Sequence, residues 1–275
     1  MWELKIPFSE RVYSLNGSAN DRSIIHALDY SGGYWEPYLM RVMQNRIAPD
    51  FVCLDIGANI GIFTLLMSGL APAGHVFAFE PSTQNMSYLR QNLALNHVQN
   101  ATPLRNALWD QPGQIELFYI DELAGCSFID TTADDSSGLK KIRSTVVQDW
   151  MGEIELHCVR DPVEGLRLDD WAAGAGLKRL DFIKMDAEGA EIAILNGARE
   201  TIRRYRPTLV AEFNAVSLTQ YFGLRPEEYY DQLAGIYPKL ALIESDGNAT
   251  PIPDYPWLSR RVETGKGWED LLCSF

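Results

Sequence analysis

The sequence predicts an α/β fold built on a doubly wound, mostly parallel sheet. Apolar runs recur at FVCLDIG (51–57), HVFAFEP (75–81), LDFIKMD (180–186) and PTLVAEFN (207–214), each reading as a strand buried on both faces. Segments of helical spacing lie between them. Strands alternating with helices along one chain assemble into a parallel sheet with helices packed on both sides.

The elements follow in order. Residues 1–19 read as an irregular or short-strand lead-in. From Asp21 to Ile47 the apolar positions Ile24, Ile25, Leu28, Trp35, Tyr38, Leu39, Val42 and Met43 keep helical spacing, and Gly32-Gly33 splits the segment into two helices. The strand 51–57 leads through Gly61 into the helical run IFTLLMSGL. Pro81 stops the second strand, and Ser82 is placed to cap a helix carrying Met86, Leu89 and Leu93 on one face. ATPLRNAL (101–108) predicts a third strand and QIELFYI (114–120) an added one.

Residues 121–165 change character: they are polar and without a sustained period until VVQDW, as expected of an inserted, lid-like loop. LRLDDWAA restores order before the fourth strand, 180–186. EIAILNGARETIRRY predicts one helix, 207–214 the fifth strand, and PEEYYDQLAGI another helix. KLALIES, the turn DGN and ATPI predict a terminal hairpin.

Composition narrows the function. Of 275 residues, 46% are hydrophobic, enough for a sizeable core. The net charge of −13 argues against a nucleic-acid surface, which needs clustered Lys and Arg. The four cysteines (Cys53, Cys126, Cys158, Cys273) are widely spaced, so neither a disulfide framework nor a zinc site is signalled. MWELKIPFSERVYSL lacks a signal-peptide pattern and no apolar run is long enough for a bilayer, giving the expectation of a cytoplasmic protein with no membrane partner. Homo-oligomerisation stays open.

The turn Asp55-Ile-Gly57-Ala-Asn59-Ile-Gly61 joins a strand to a helix, where a doubly wound sheet opens its ligand crevice. The middle glycine of a dinucleotide fingerprint is missing, because Ala58 and Asn59 follow Gly57. No Lys or Arg occurs between Phe51 and Leu89, and Asp55 would repel a phosphate. Glu80 ends the next strand 25 positions beyond Asp55, where an acid takes a ribose diol. A ribose-bearing cation without phosphates fits this site, and S-adenosylmethionine is such a ligand. Its carboxylate would meet the helix N-terminus, and Asn106-Ala107 would line its adenine.

LDIGANIGIFT, FAFEP, LRLDDW, LDFIKMDAEGAEIAILNGA and RPTLVAEFN, in that order over roughly residues 24–214, resemble the FkbM-type S-adenosylmethionine-dependent methyltransferases. The K-x-D-x-E-G-x-E segment carries the likeness most specifically. The resemblance implies a seven-stranded sheet with the last strand antiparallel. It also implies O-methylation of alcohols on sugars, polyketides or similar natural products. GGYWEP (32–37) resembles the family's segment before the first strand, which implies Glu36 near the cofactor's amino-acid end.

An alcohol becomes a good nucleophile once a base or a metal removes its proton. Asp186 ends the fourth strand; Glu212 and Asn214 end the fifth, beside it. Two carboxylates and an amide oxygen form a hard-oxygen set suited to Mg²⁺ or Mn²⁺. Alternatively Asp186 binds the acceptor hydroxyl or acts as base, with Glu212 beside it. Lys184 shares the strand face of Asp186 and reads as its ion-pair partner before it reads as a catalyst. Glu191 reads as a helix-start charge, and Glu188 is left open. His75 and His97 read as structural, whereas His26 and His157 are alternative bases. The LKKIR run (139–143) reads as a solvated face or, alternatively, as recognising an acidic substrate group; of the aromatics, Trp150, Trp171, Tyr221, Phe222, Tyr229 and Tyr230 read as core, with some free to line a cleft.

The sequence thus divides one domain into a helical lead-in (1–50), a cofactor half (51–120), the insertion (121–165) and a substrate half (166–275). The expected function is methyl transfer from S-adenosylmethionine to the hydroxyl of a small acceptor. The alternatives are transfer to a small amine, an NAD(P)-dependent oxidoreductase, and a non-catalytic cofactor-binding protein.

Overall fold

The computed structural model describes residues 1–275 except 8, 121, 130–145, 150–151 and 156–157. His157, Trp150 and the 139–143 run, raised above, therefore lie outside the described residues. Strands β1 (Trp2–Lys5) and β2 (Val12–Leu15) form an antiparallel hairpin. Paired amide bonds dock it on α4 (Thr83–Leu95) and its C-cap: Ser14 N–H donates to Asn96 at 2.9 Å and Asn16 N–H to Asn92 at 2.6 Å. Helices α1 (Ile25–Tyr30) and α2 (Pro37–Gln44) follow, separated at the Gly32-Gly33 break.

The central sheet holds β3 (Val52–Ile56), β4 (His75–Phe79), β5 (Ala101–Leu104), β12 (Phe182–Met185), β13 (Thr208–Asn214), β14 (Lys239–Ile243), β15 (Ala249–Pro251) and β16 (Trp268–Ser274). Their spatial order is β15-β14-β16-β13-β12-β3-β4-β5. The pairs from β13 through β5 are parallel, and β16 runs antiparallel between β13 and β14. The resemblance implied seven strands with the last antiparallel; the structure adds β15, a three-residue edge strand hairpinned onto β14. Strand order reverses between β3 and β12, so the crevice opens there.

Two apolar cores cover the sheet's faces. One gathers Leu39, Met40, Leu65, Leu66 and Leu89 from α2, α3 (Ile62–Leu70) and α4. The other gathers Ile194, Leu195, Leu233 and Leu258 from α6 (Glu191–Gly197), α9 (Pro226–Ile236) and α10 (Tyr255–Thr264). Phe213 stacks on Tyr229 at 5.5 Å between ring centroids in this second core.

Four sequence expectations change. The strand expected over 101–108 divides: β5 ends at Leu104, and β6 (Ala107–Leu108) joins a second sheet of order β6-β11-β7-β8. In that sheet β7 (Gly113–Ile120) pairs antiparallel with β8 (Leu123–Ile129) and β11 (Cys158–Leu166). The described parts of the expected loop are therefore largely strands, including the antiparallel pair β9 (Val146–Asp149) and β10 (Gly152–Glu155). β11 does alternate, burying Asp161, Val163 and Gly165 between exposed Arg160, Pro162 and Glu164; an acid on the inner face hides the pattern from a hydrophobicity reading.

The helix expected over 191–205 breaks at Ala198 into α6 and α7 (Arg199–Tyr205). Asp169, in α5 (Leu168–Gly174), accepts from Thr201 N–H at 2.8 Å and so caps α7 from outside. Finally, the hairpin over 239–251 is not the end of the fold. α10 and β16 follow it, as α8 (Ala215–Phe222) follows β13.

Candidate active site

A cavity of roughly 530 Å³ lies over the carboxyl ends of β3, β4, β12 and β13, a size ordinary for a small-ligand site. Ser23 and Gly125 contribute to its wall, joined by a 2.9 Å bond from Gly125 N–H to the Ser23 hydroxyl.

The β3–α3 turn forms one wall. Gly57 has φ +74°, and a Cβ there would overlap the Asp186 carbonyl oxygen, so the ends of β3 and β12 meet only through a glycine. Gly57 and Ala58 N–H both donate to the Phe79 carbonyl at 3.0 Å, which fixes the turn against β4. Glu80, only 3% exposed, accepts from Asn59 N–H at 2.7 Å and from Ser82 N–H at 2.9 Å. Burial pushes its carboxyl up to about 7 against the pull of these two bonds. A carboxylate oxygen can accept more than one hydrogen bond, and Glu80 lines the cavity.

Glu36, Gly57, Asn59, Glu80, Asn106, Ala107 and Asp186 all line the cavity, as the sequence placed them. Asp55 and Gly61 do not. Asp55 is fully buried beneath the turn, where the Thr64 hydroxyl donates to it at 2.5 Å. Gly61 faces the Leu89 side chain at the start of α3. Both were expected to touch the cofactor; both shape the turn from outside.

The opposite wall comes from β12 and β13. Lys184, 5% exposed, places Nζ 3.1 Å from Asp186 and 5.1 Å from the Phe63 ring centroid. Burial works to lower its pKa, but Asp186, Asp55 and Glu36 together raise it. These acids thus favour the charged form of Lys184, the ion-pair partner the sequence suggested. Glu191 accepts from Ala187 N–H at 2.9 Å and closes the loop before α6, the local role expected of it.

Glu212 is pushed well above the usual carboxylate range by burial and by Asp186, Glu188, Glu191 and Asp270. Asp270 stands directly opposite Glu212 in the β13–β16 register and accepts from the Tyr38 hydroxyl at 2.9 Å. Burial pushes Asp270 up to about 6. Glu36, held in a left-handed backbone at φ +37° before α2, is pushed up to about 8 by burial and then by Asp270 and Asp186.

The proposed metal set does not fit. Asn214 Oδ1 already accepts from Ser217 N–H at 3.0 Å as the cap of α8, so its NH₂ group faces Glu212 at 3.4 Å. An amide NH₂ donates hydrogen bonds and offers a cation no lone pair. Among the described residues no group of three His, Cys, Asp or Glu side chains is arranged to hold a metal.

His26, His75 and His97 do not line the cavity, and His75 instead meets the Thr102 hydroxyl at 2.8 Å. Trp171 packs edge-on against Phe77 and Phe79, so it is core. Phe222, Tyr229 and Tyr230 also lie outside the cavity lining. Residues missed by sequence reading include Ser217, Lys266 and Trp268, which line the cavity, and the hydrogen-bonded pair Tyr38 and Asp270. Lys266 lies over the Trp268 ring and 5.3 Å from that of Tyr38.

This sheet order, with a glycine turn after β3 and a buried acid just beyond β4, makes a doubly wound α/β fold whose cavity lies at the strands' carboxyl ends, where such sheets take their ligands. The sequence pattern of the methyltransferase FkbM domain matches residues 55–233, and the chain belongs to this FkbM methyltransferase family. Methyltransferase sdnD of Sordaria araneosa is 31% identical over 158 residues, covering 54% of this chain and 60% of that protein. The 2-O-methyltransferase NoeI of Sinorhizobium fredii is 30% identical over 162 residues, covering 58% and 61%. The 31-O-demethyl-FK506 methyltransferase FkbM of Streptomyces tacrolimicus is 26% identical over 166 residues, covering 56% and 62%. The matched segments thus span about 60% of these relatives' own lengths. No helix among the described residues is long and apolar enough to cross a membrane.

Proposed function

We propose that this protein transfers a methyl group from S-adenosylmethionine to a hydroxyl of a small metabolite, a sugar, polyketide or related natural product. The observation that carries the reading is the Glu80 carboxylate, braced by Asn59 and Ser82 N–H at the cavity rim of an FkbM-family chain. When bound, the cofactor supplies an electrophilic methyl carbon and a neutral thioether leaving group.

The chain's residues supply the rest. Glu80 keeps acceptor sites for a diol, and the amide groups that open α3 suit a carboxylate. Asn106, Ala107 and Phe79 offer a largely apolar slot for a base. Glu36 gives the remaining surface an acid suited to the cofactor's ammonium. The printed activity of NoeI supports oxygen as the receiving atom.

Isothermal titration with S-adenosylhomocysteine tests the reading; folded protein that binds none would overturn it. Glu80→Ala should weaken binding about 10- to 100-fold, the worth of about 1.5–3 kcal/mol in hydrogen bonds to a charged group. Asp186→Ala should weaken it less, because Asp186 lies toward the acceptor side with Lys184.

A further inference from the structure

The acids of the KMDAEGAE segment have different neighbours. Asp186 is engaged by the Lys184 ammonium at 3.1 Å. That contact occupies Asp186 Oδ2. Glu191 is 2% exposed, lies outside the cavity lining and spends Oε1 on Ala187 N–H. Glu188 lines the cavity; its Oε2 accepts from the Ser217 hydroxyl at 3.2 Å, and no described residue bonds Oε1.

Its placement is over-determined. Glu188 has φ +52°, in the left-handed region that non-glycine residues seldom adopt. Gly189 follows with φ +101°, and the Phe222 ring occupies the space where a side chain would go. Ser217 is 3% exposed, and its own N–H is tied to Asn214 at 3.0 Å. The β12–α6 loop and the first turn of α8 thus converge on one carboxyl. Strain of this kind persists where surroundings enforce it and concentrates at functional sites.

We propose that Glu188 takes the proton of the acceptor hydroxyl, an assignment that rests on the methyl-transfer reading above. The O–H bond breaks toward Glu188 Oε1, the oxygen lone pair bonds the methyl carbon, and the carbon–sulfur pair stays on sulfur. Sulfonium and carboxylate become thioether and carboxylic acid, so charge balances. Burial, then Asp186 and Glu191, push Glu188 up to about 8, with Ser217 and Lys184 pulling the other way and Glu212 facing it from β13. A base with proton affinity near the working pH is the effective kind.

Sinefungin tests this without knowledge of the acceptor, because it carries an amine where the cofactor carries its transferable methyl. At pH 8, calorimetry on the wild-type chain should show sinefungin binding about tenfold tighter than S-adenosylhomocysteine, through one charge-assisted bond. Glu188→Gln should bring that ratio to about one while holding S-adenosylhomocysteine affinity within about threefold. Glu212→Gln should keep the ratio. A wild-type ratio near one, an unchanged ratio in Glu188→Gln, or loss of the ratio in Glu212→Gln instead overturns the assignment. If Glu188→Gln does not fold, Ser217→Ala decides: it should lower the ratio about threefold, and no change overturns the proposal. Failure of the wild-type chain to bind either ligand would instead overturn the methyl-transfer reading itself.

Discussion

Gly57 shows how a single residue sets the crevice. Its φ of +74° and the Asp186 carbonyl in the place of a Cβ leave no room for any side chain. Gly57→Ala must push β3 and β12 apart or rearrange the turn that holds Glu80. We expect a loss of about 3 kcal/mol in urea unfolding, at the upper end of single-substitution effects, together with loss of S-adenosylhomocysteine binding. Glycine at this position was legible in the sequence because strand–turn–helix patterning places it. The partner that enforces it, 129 positions away, was not. The same holds for Lys184: a lysine inside an apolar strand signals a buried ion pair, whereas its contact with Phe63 depends on packing across α3.

At the scale of elements, the second sheet docks on the first through Asp161. This residue accepts from Thr83 N–H at 2.6 Å, from the Thr83 hydroxyl at 2.9 Å and from Arg105 at 2.7 Å. One buried acid thereby ties β11 to the start of α4 and to the β5–β6 link. Asp161→Ala should cost about 2–3 kcal/mol in chemical denaturation, since it strips several charge-assisted bonds at once. In sequence, Asp161 is one charge in a polar run. Its inward face appears only after β7 and β11 pair from Gly113↔Gly165 to Ile120↔Cys158. The break at Ala198 has the same origin, because the cap that starts α7 is Asp169 of another helix. A periodicity argument sees only the continuous apolar face across the join.

For the whole molecule, the acid-lined cavity makes stability depend on pH. Glu36 and Glu188 are pushed up to about 8, and Glu80 and Glu191 up to about 7, against about 4.3 for an unfolded glutamate. Between those values the folded chain binds more protons than the unfolded one, so stability falls as pH rises. The contribution is fully present below about pH 4 and is lost as pH climbs through 7 and 8. Urea midpoints should drop between pH 5.5 and 8.5, and Glu36→Gln should flatten the slope, since glutamine has no proton to lose. A slope unchanged by that substitution would show that Glu36 titrates normally.

The sequence by itself determined the parallel sheet, the glycine turn, the acid Glu80 beyond β4 and the acid-rich end of β12, because each is written in local periodicity and short spacing. Tertiary structure alone decided how the acids divide their work. β16 returns antiparallel beside β13 and sets Asp270 against Glu212, with Lys266 and Trp268 at the rim. Ser217 reaches Glu188 from α8, and Asn214 turns its oxygen to a helix cap and away from any cation. The segment KMDAEGAE supplies three carboxylates of similar intrinsic chemistry. Burial and the nearest partner, an ammonium for Asp186, a backbone N–H for Glu191 and a single hydroxyl for Glu188, make them different, and those partners come together only when distant strands pack.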